Sequence, residues 1–132
     1  MKKTKPSISP QGQDLFEIEG GRPLRGSIRA SGNKNAALPI LAASLLTSEE
    51  VILEDLPRIR DVEVMLAIMA EMGVELEWQG DNVLRIHARN VKLDKLPPDL
   101  AREVRTSFLF TAPLLHRQGY ANMALPGGDG IG

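Results

Sequence analysis

Ser31-Gly32-Asn33-Lys34-Asn35-Ala36-Ala37-Leu38-Pro39 is the stretch on which the fold turns. A polar Ser-Gly-Asn break hands over to an almost wholly apolar run, Ala36 to Leu46, which predicts a buried helix. Pro39 falls near the expected first turn, where a missing N–H costs little. The leading N–H groups of a helix lack internal partners and carry partial positive charge. A lysine added there makes a trap for anions. Asn35 brings both a donor and an acceptor, which suits a sugar hydroxyl or an amide. A solvated Lys34 beside an Asn35 that serves only as a cap fits the local sequence equally well.

Upstream, Leu24, Gly26, Ile28 and Ala30 alternate with Arg25, Ser27 and Arg29, a period of two that predicts a half-buried strand. Phe16 and Ile18 predict a shorter strand ending at Gly20-Gly21, and residues 1–13 read as a disordered polar tail. Downstream, Val51-Ile52-Leu53 predicts a strand closed by Leu56-Pro57. Asp61 is the expected N-cap of a second helix, with Val62, Met65, Leu66, Met69 and Met72 on its packing face and Gly73 at its end. Val74, Leu76 and Trp78, then Leu84, Ile86 and Ala88, predict a hairpin about Gly80-Asp81-Asn82. A third helix is expected from Asp99 or Arg102 to about Leu115, and a last strand from Tyr120 to Leu125. A shift of 69 residues, the distance from Pro57 to Pro126, sets Ala43 on Ala112, Leu45 on Leu114, Leu46 on Leu115 and Leu56-Pro57 on Leu125-Pro126. This is the mark of a duplicated supersecondary unit.

The charge balance, 16 basic against 17 acidic residues, lacks the basic excess that nucleic acid or an anionic membrane surface demands. The absence of cysteine removes disulfides and thiolate metal sites. His87 and His116 are isolated, without metal-ligand spacing. The polar stretch from Pro6 to Gln13 after the basic start does not read as an export signal. No apolar run is long enough to span a bilayer. The second chemical segment is Pro126-Gly127-Gly128-Asp129-Gly130-Ile131-Gly132, one carboxylate within glycines that let a backbone approach a ligand closely. It lacks the Gly-Lys-Ser/Thr of a nucleotide loop and the spacing of a dinucleotide fingerprint. Taken alone it reads best as a turn.

From Phe16 to Gly132 the chain resembles the N-terminal part of the enolpyruvyl transferase family, in particular the members that act on UDP-N-acetylglucosamine. The resemblance is carried by Leu24-Arg25-Gly26, Ser31 to Pro39, Leu56-Pro57 with Asp61-Val62, Val104-Arg105-Thr106-Ser107, and Pro126 to Gly132. Members acting on shikimate 3-phosphate resemble a Lys-Ser-Ile-Ser pattern where this chain has Lys34-Asn35-Ala36-Ala37. The resemblance implies an α/β (α+β) fold of repeated βαβαββ units in an inside-out barrel of two lobes. The chain would cross between lobes near residues 31–35. Units would span about 35–100 and 101–132, the second truncated, so that a fragment lacking its C-terminal portion is expected.

It also implies transfer of the enolpyruvyl group of phosphoenolpyruvate to the 3′-hydroxyl of UDP-N-acetylglucosamine in the cytoplasm, the first committed step of peptidoglycan synthesis, with no cofactor and no metal. Lys34 would serve phosphoenolpyruvate, Asn35 the amino sugar and Arg105 the nucleotide sugar. Asp129 would be catalytic, at a place where many members carry cysteine. It would offer no thiolate for the epoxide fosfomycin to alkylate. The other classes are a non-catalytic module that binds a nucleotide sugar or a partner chain, and the shikimate 3-phosphate enzyme.

Overall fold

The structure, a computed structural model, describes residues 7–8, 14–15, 18–21, 23–92 and 94–127. Strands β1 (Ser7–Ile8) and β2 (Asp14–Leu15) pair antiparallel; the rest of the expected N-terminal tail, and Phe16 of the expected first strand, lie outside the described residues.

Helix α1 (Lys34–Ser44) opens two residues before the apolar run. Asn33 is extended, and its side-chain oxygen accepts the N–H groups of Asn35 (2.7 Å) and Ala36 (3.3 Å), satisfying two of the donors a helix start leaves unpaired. Pro39 is therefore the sixth helical residue rather than part of the first turn, and it can donate nothing to the Asn35 carbonyl one turn back. Ala37, Leu38, Leu41, Ala42 and Leu45 form the buried face.

A three-stranded antiparallel sheet follows, in the order β3 (Glu50–Leu53), β5 (Leu84–His87), β4 (Glu75–Trp78). Register sorts its two faces. Val51, Ile86 and Leu76 align in one row and Leu53, Leu84 and Trp78 in the next; these rows face the core, with Leu84 and Ile86 fully buried. The opposite face carries Glu50, His87 and Glu75 beside Ile52, Arg85 and Glu77. There Arg85 lies 2.5 Å from Glu50 and 3.6 Å from Glu77, cross-strand pairs that fix register more than they stabilise. Trp78 is half-buried on the edge strand, and the Arg58 guanidinium sits 4.1 Å over its ring.

Helix α2 (Arg60–Glu71) covers the apolar face with Val62, Met65, Ile68 and Met69. Its methionines pack the core. Asp61 is not its cap: Ile59 holds that position without a side-chain hydrogen bond, and Asp61 is the second helical residue. A carboxylate in the first turn still complements the helix dipole. The helix ends in a Schellman turn, with Val74 N–H on the Met69 carbonyl and Gly73 N–H on the Ala70 carbonyl. Gly73 takes φ +80°, which a side chain would resist.

The expected third helix is broken. Helix α3 (Pro98–Glu103) stops at Val104, which is extended. A 3₁₀ segment (Arg105–Phe110) then leads into α4 (Thr111–Gln118). The cause is a long-range competitor: the Ala101 carbonyl, which a continuous helix would give to the Arg105 N–H, instead accepts the Gly127 N–H at 2.9 Å. Pro113 is the third residue of α4 and offers no donor to the carbonyls of the 3₁₀ turn before it.

The two outlying strands expected at Leu24–Ala30 and Tyr120–Leu125 do not form. Leu24 and Ile28 are 98% and 96% exposed, and Tyr120–Leu125 makes no ladder, although Leu96 N–H reaches the Asn122 carbonyl. Alternation says which face a strand would bury; it does not supply the neighbour that completes the ladder.

One side chain outside every motif holds the helical and sheet layers together. Arg117 donates to the carbonyls of Leu45 (3.0 Å), Ala88 (2.9 Å) and Arg89 (2.9 Å), joining α4 to the end of α1 and the end of β5. Hydrogen bonds from a charged donor, with three carbonyls stranded by its removal, set the expected cost of Arg117→Ala at about 2 kcal/mol. Arg117→Lys is expected to recover only part, because an ammonium cannot reproduce the planar fork. Urea unfolding of the three proteins checks both statements.

Candidate substrate site

Lys34 is the first residue of α1, and its ammonium lies 2.8 Å from the Asp61 carboxylate at the start of α2. That pair brings the N-termini of both helices together. Asn33, not Asn35, does the capping, so the amide of Asn35, on an exposed residue, is not committed as the helix cap. The reading of Asn35 as a cap alone is thereby corrected.

Arg105 opens the 3₁₀ segment and is exposed. The next two hydroxyls, Thr106 Oγ1 and Ser107 Oγ, are buried and accept or donate no hydrogen bond among the described residues, an unusual cost for two adjacent side chains. Arg60, next to Asp61, pairs with Glu103 at 2.6 Å. Adjacent residues of α2 thus reach towards both motifs: Asp61 to Lys34, and Arg60 to the end of α3, just before Arg105. Gly127 closes on the same place. A Cβ there would collide with the Arg102 carbonyl, so the Pro126-Gly127 segment lies against α3 only because it has no side chain. Asp129 lies outside the described residues.

A cleft of about 200 Å³ opens beside the α1 N-terminus, lined by Gly32, Asn33, Ala36, Ile40, Asp55 and Pro57 among others. At its rim a single nitrogen of Arg29, Nη2, donates to both carboxylate oxygens of Asp55 at 2.9 and 2.8 Å, with both side chains largely solvated. Sequence reasoning missed Asp61 as the partner of Lys34, and it missed Arg29 with Asp55. The legible signal was the presence of Asp61-Val62 within the matching motif.

Among the described residues no three His, Asp or Glu side chains gather as a metal site. No helix there is long and apolar enough to cross a membrane.

Among the described residues the titration of Tyr120 is perturbed. The Tyr120 hydroxyl donates to Asp94 at 2.9 Å. That hydrogen bond, then desolvation, then the Asp94 charge raise its pKa above the ordinary value near 10. The folded state favours neutral tyrosine, so this contribution is complete below the unfolded pKa and is lost as pH rises through the folded one. Because the chain has a single tyrosine, ultraviolet absorbance should report one phenolate transition above 10, and Asp94→Asn should move it down.

Residues 18–132 match the family model described as EPSP synthase (3-phosphoshikimate 1-carboxyvinyltransferase), and the chain belongs to that family of enolpyruvyl transferases. Within it, the chain is 48% identical over 117 residues to UDP-N-acetylglucosamine 1-carboxyvinyltransferase of Bradyrhizobium diazoefficiens, an overlap covering 89% of this chain and 27% of that protein. It is 49% identical to the protein of the same name from Treponema denticola, over 89% of this chain and 28% of that one. In three dimensions it is similar to the enolpyruvyl transferase NikO from Streptomyces tendae, with a TM-score of 0.65 and 29% identity, covering 77% of this chain and 24% of that chain. The chain thus spans about a quarter of the length of the curated relatives it matches, and the fold is the α/β fold of this family, represented in part.

Proposed function

We propose that this chain is the N-terminal part of an enzyme that transfers the enolpyruvyl group of phosphoenolpyruvate to the 3′-hydroxyl of UDP-N-acetylglucosamine. The observation that carries the reading is the 48% identity over 117 residues, a span that includes Lys34, Asn35 and Arg105. The names of the relatives, and Asn35-Ala36-Ala37 in place of Ser-Ile-Ser, favour the nucleotide sugar over shikimate 3-phosphate.

In this reading the sugar hydroxyl adds to C2 of phosphoenolpyruvate while a proton enters at the methylene carbon, giving a tetrahedral adduct. Loss of a proton from the new methyl group and of inorganic phosphate restores the double bond. Lys34 offsets the charge of phosphoenolpyruvate, Asn35 contacts the amino sugar, and Arg105 binds the nucleotide. Asp129 is the candidate general acid, a role that requires its carboxyl to be held protonated near the bound anion. The remaining length of the protein supplies the rest of the site and closes over it to exclude water. The product enters peptidoglycan synthesis, and the chemistry of both substrates supports a cytoplasmic place.

The test is phosphate release with UDP-N-acetylglucosamine and phosphoenolpyruvate, using the chain extended to the length of its relatives beside the 132-residue chain. Turnover by the extended protein, and none with shikimate 3-phosphate, is expected. A folded extended protein that turns over neither acceptor refutes the proposal.

A further inference from the structure

The ion pair between Lys34 and Asp61 joins the first residue of α1 to the second residue of α2 at 2.8 Å. We propose that Asp61 is a positioning residue for the transfer reaction, one that acts through Lys34 without touching substrate. The inference rests on the enolpyruvyl transfer proposed above.

The physical case begins with the lysine. Its four-carbon stem carries about 2 kcal/mol of rotamer entropy, and an unrestrained ammonium would have to be ordered each time a substrate arrived. Asp61 orders it beforehand. The carboxylate is itself fixed. It projects from the first turn of α2, where the helix dipole favours a negative charge, and α2 is anchored through Met65, Ile68 and Met69, all fully buried. The neighbouring Arg60 pairs with Glu103 at the end of α3. Lys34 is thereby referenced to the core instead of to its own stem.

The same arrangement has an electrostatic cost that makes the idea testable. A carboxylate beside the ammonium weakens attraction for any anion, including phosphoenolpyruvate. A residue kept for positioning must therefore raise kcat while leaving anion affinity no better. Removing its charge should separate the two quantities, whereas a residue that only supports the fold would degrade both.

The experiment is steady-state kinetics on the extended protein as wild type, Asp61→Asn and Asp61→Glu, varying phosphoenolpyruvate at saturating UDP-N-acetylglucosamine, with a thermal melt of each. For Asp61→Asn we expect kcat to fall on the order of 10- to 100-fold, the scale of a displaced reacting group, with KM for phosphoenolpyruvate unchanged or lower. Asp61→Glu keeps the carboxylate and should restore most of the lost kcat. A kcat for Asp61→Asn equal to wild type overturns the inference, as does a fall in kcat accompanied by a proportionate rise in KM. If Asp61→Asn does not fold, Asp61→Glu decides: near wild-type kcat supports the inference, and a folded but inactive protein overturns it. Absence of turnover in the folded wild type would instead refute the transfer reaction itself, and the positioning role with it.

Discussion

Gly32→Ala is expected to destabilise the chain by about 1–3 kcal/mol, the range for atoms forced into a filled space, and to disturb the site two residues away. A Cβ at residue 32 would overlap the backbone carbonyl of Asp55 and lie 3.0 Å from Cδ of Pro57. The obstacle is backbone, not the tip of a side chain that could swing aside. Asp55 is also held in place from several directions. It adopts φ +55°, an uncommon conformation for a residue with a side chain. Nη2 of Arg29 donates to both of its carboxylate oxygens, and the next residue is anchored by the Leu56 N–H on the Asn82 carbonyl at 2.9 Å. Relief must come from residues 31–33, which would pull Asn33 away from the N–H groups it caps and add part of a cap's worth, about 1 kcal/mol. Urea unfolding read from Trp78, the single tryptophan, measures the loss. Gly80→Ala is the control: nothing lies within 4 Å of the added carbon, and its effect should stay within about 0.5 kcal/mol. Equal stability of the two variants would refute the packing argument.

The glycine between a strand-like segment and α1 was visible in the sequence, but its reason was not. A Gly-Asn pair before an apolar run announces a helix start because the capping chemistry is local. The faces of α2 and of the hairpin were legible on the same grounds: Val62, Met65 and Met69, or Leu84 and Ile86, repeat at the period of their own element. What remained hidden depends on residues far apart in the chain. The break at Val104 follows from Gly127 taking the Ala101 carbonyl 26 residues away. Leu24 and Ile28 alternate like a strand yet find no sheet edge. Asp61 looked like a cap because its composition and place fit one, and only the folded chain shows it spent on Lys34 instead. Arg117 has no local signature at all, since its three acceptors are backbone atoms that any sequence would carry. In the candidate site the cation, the amide and Arg105 could be read by type, while the groups that hold them could not.

Lys34→Ala should be the most damaging single change to activity in the extended protein, lowering kcat/KM for phosphoenolpyruvate on the order of 10²- to 10³-fold, the usual loss when one preorganised charge-stabilising donor is removed. The effect has two parts. The cation that offsets developing charge is gone, and Asp61, 2.8 Å from that ammonium in the wild type, is left as an uncompensated carboxylate facing an anionic substrate. Stability should change little, because both side chains of the pair keep contact with solvent, with 51% and 35% of them exposed, and solvent-accessible pairs contribute about 1 kcal/mol or less. Steady-state kinetics and a thermal melt separate these expectations. Lys34→Arg keeps the charge but replaces a compact ammonium with a planar fork, so it should recover affinity before it recovers kcat. The two parts of the loss can be divided by adding Asp61→Asn to Lys34→Ala. Removing the stranded carboxylate should return part of the phosphoenolpyruvate affinity, so that the double variant binds more tightly than Lys34→Ala alone, a coupling that only neighbouring groups show. Strictly additive losses would mean that Lys34 and Asp61 act independently, and that their contact has no part in binding the anion.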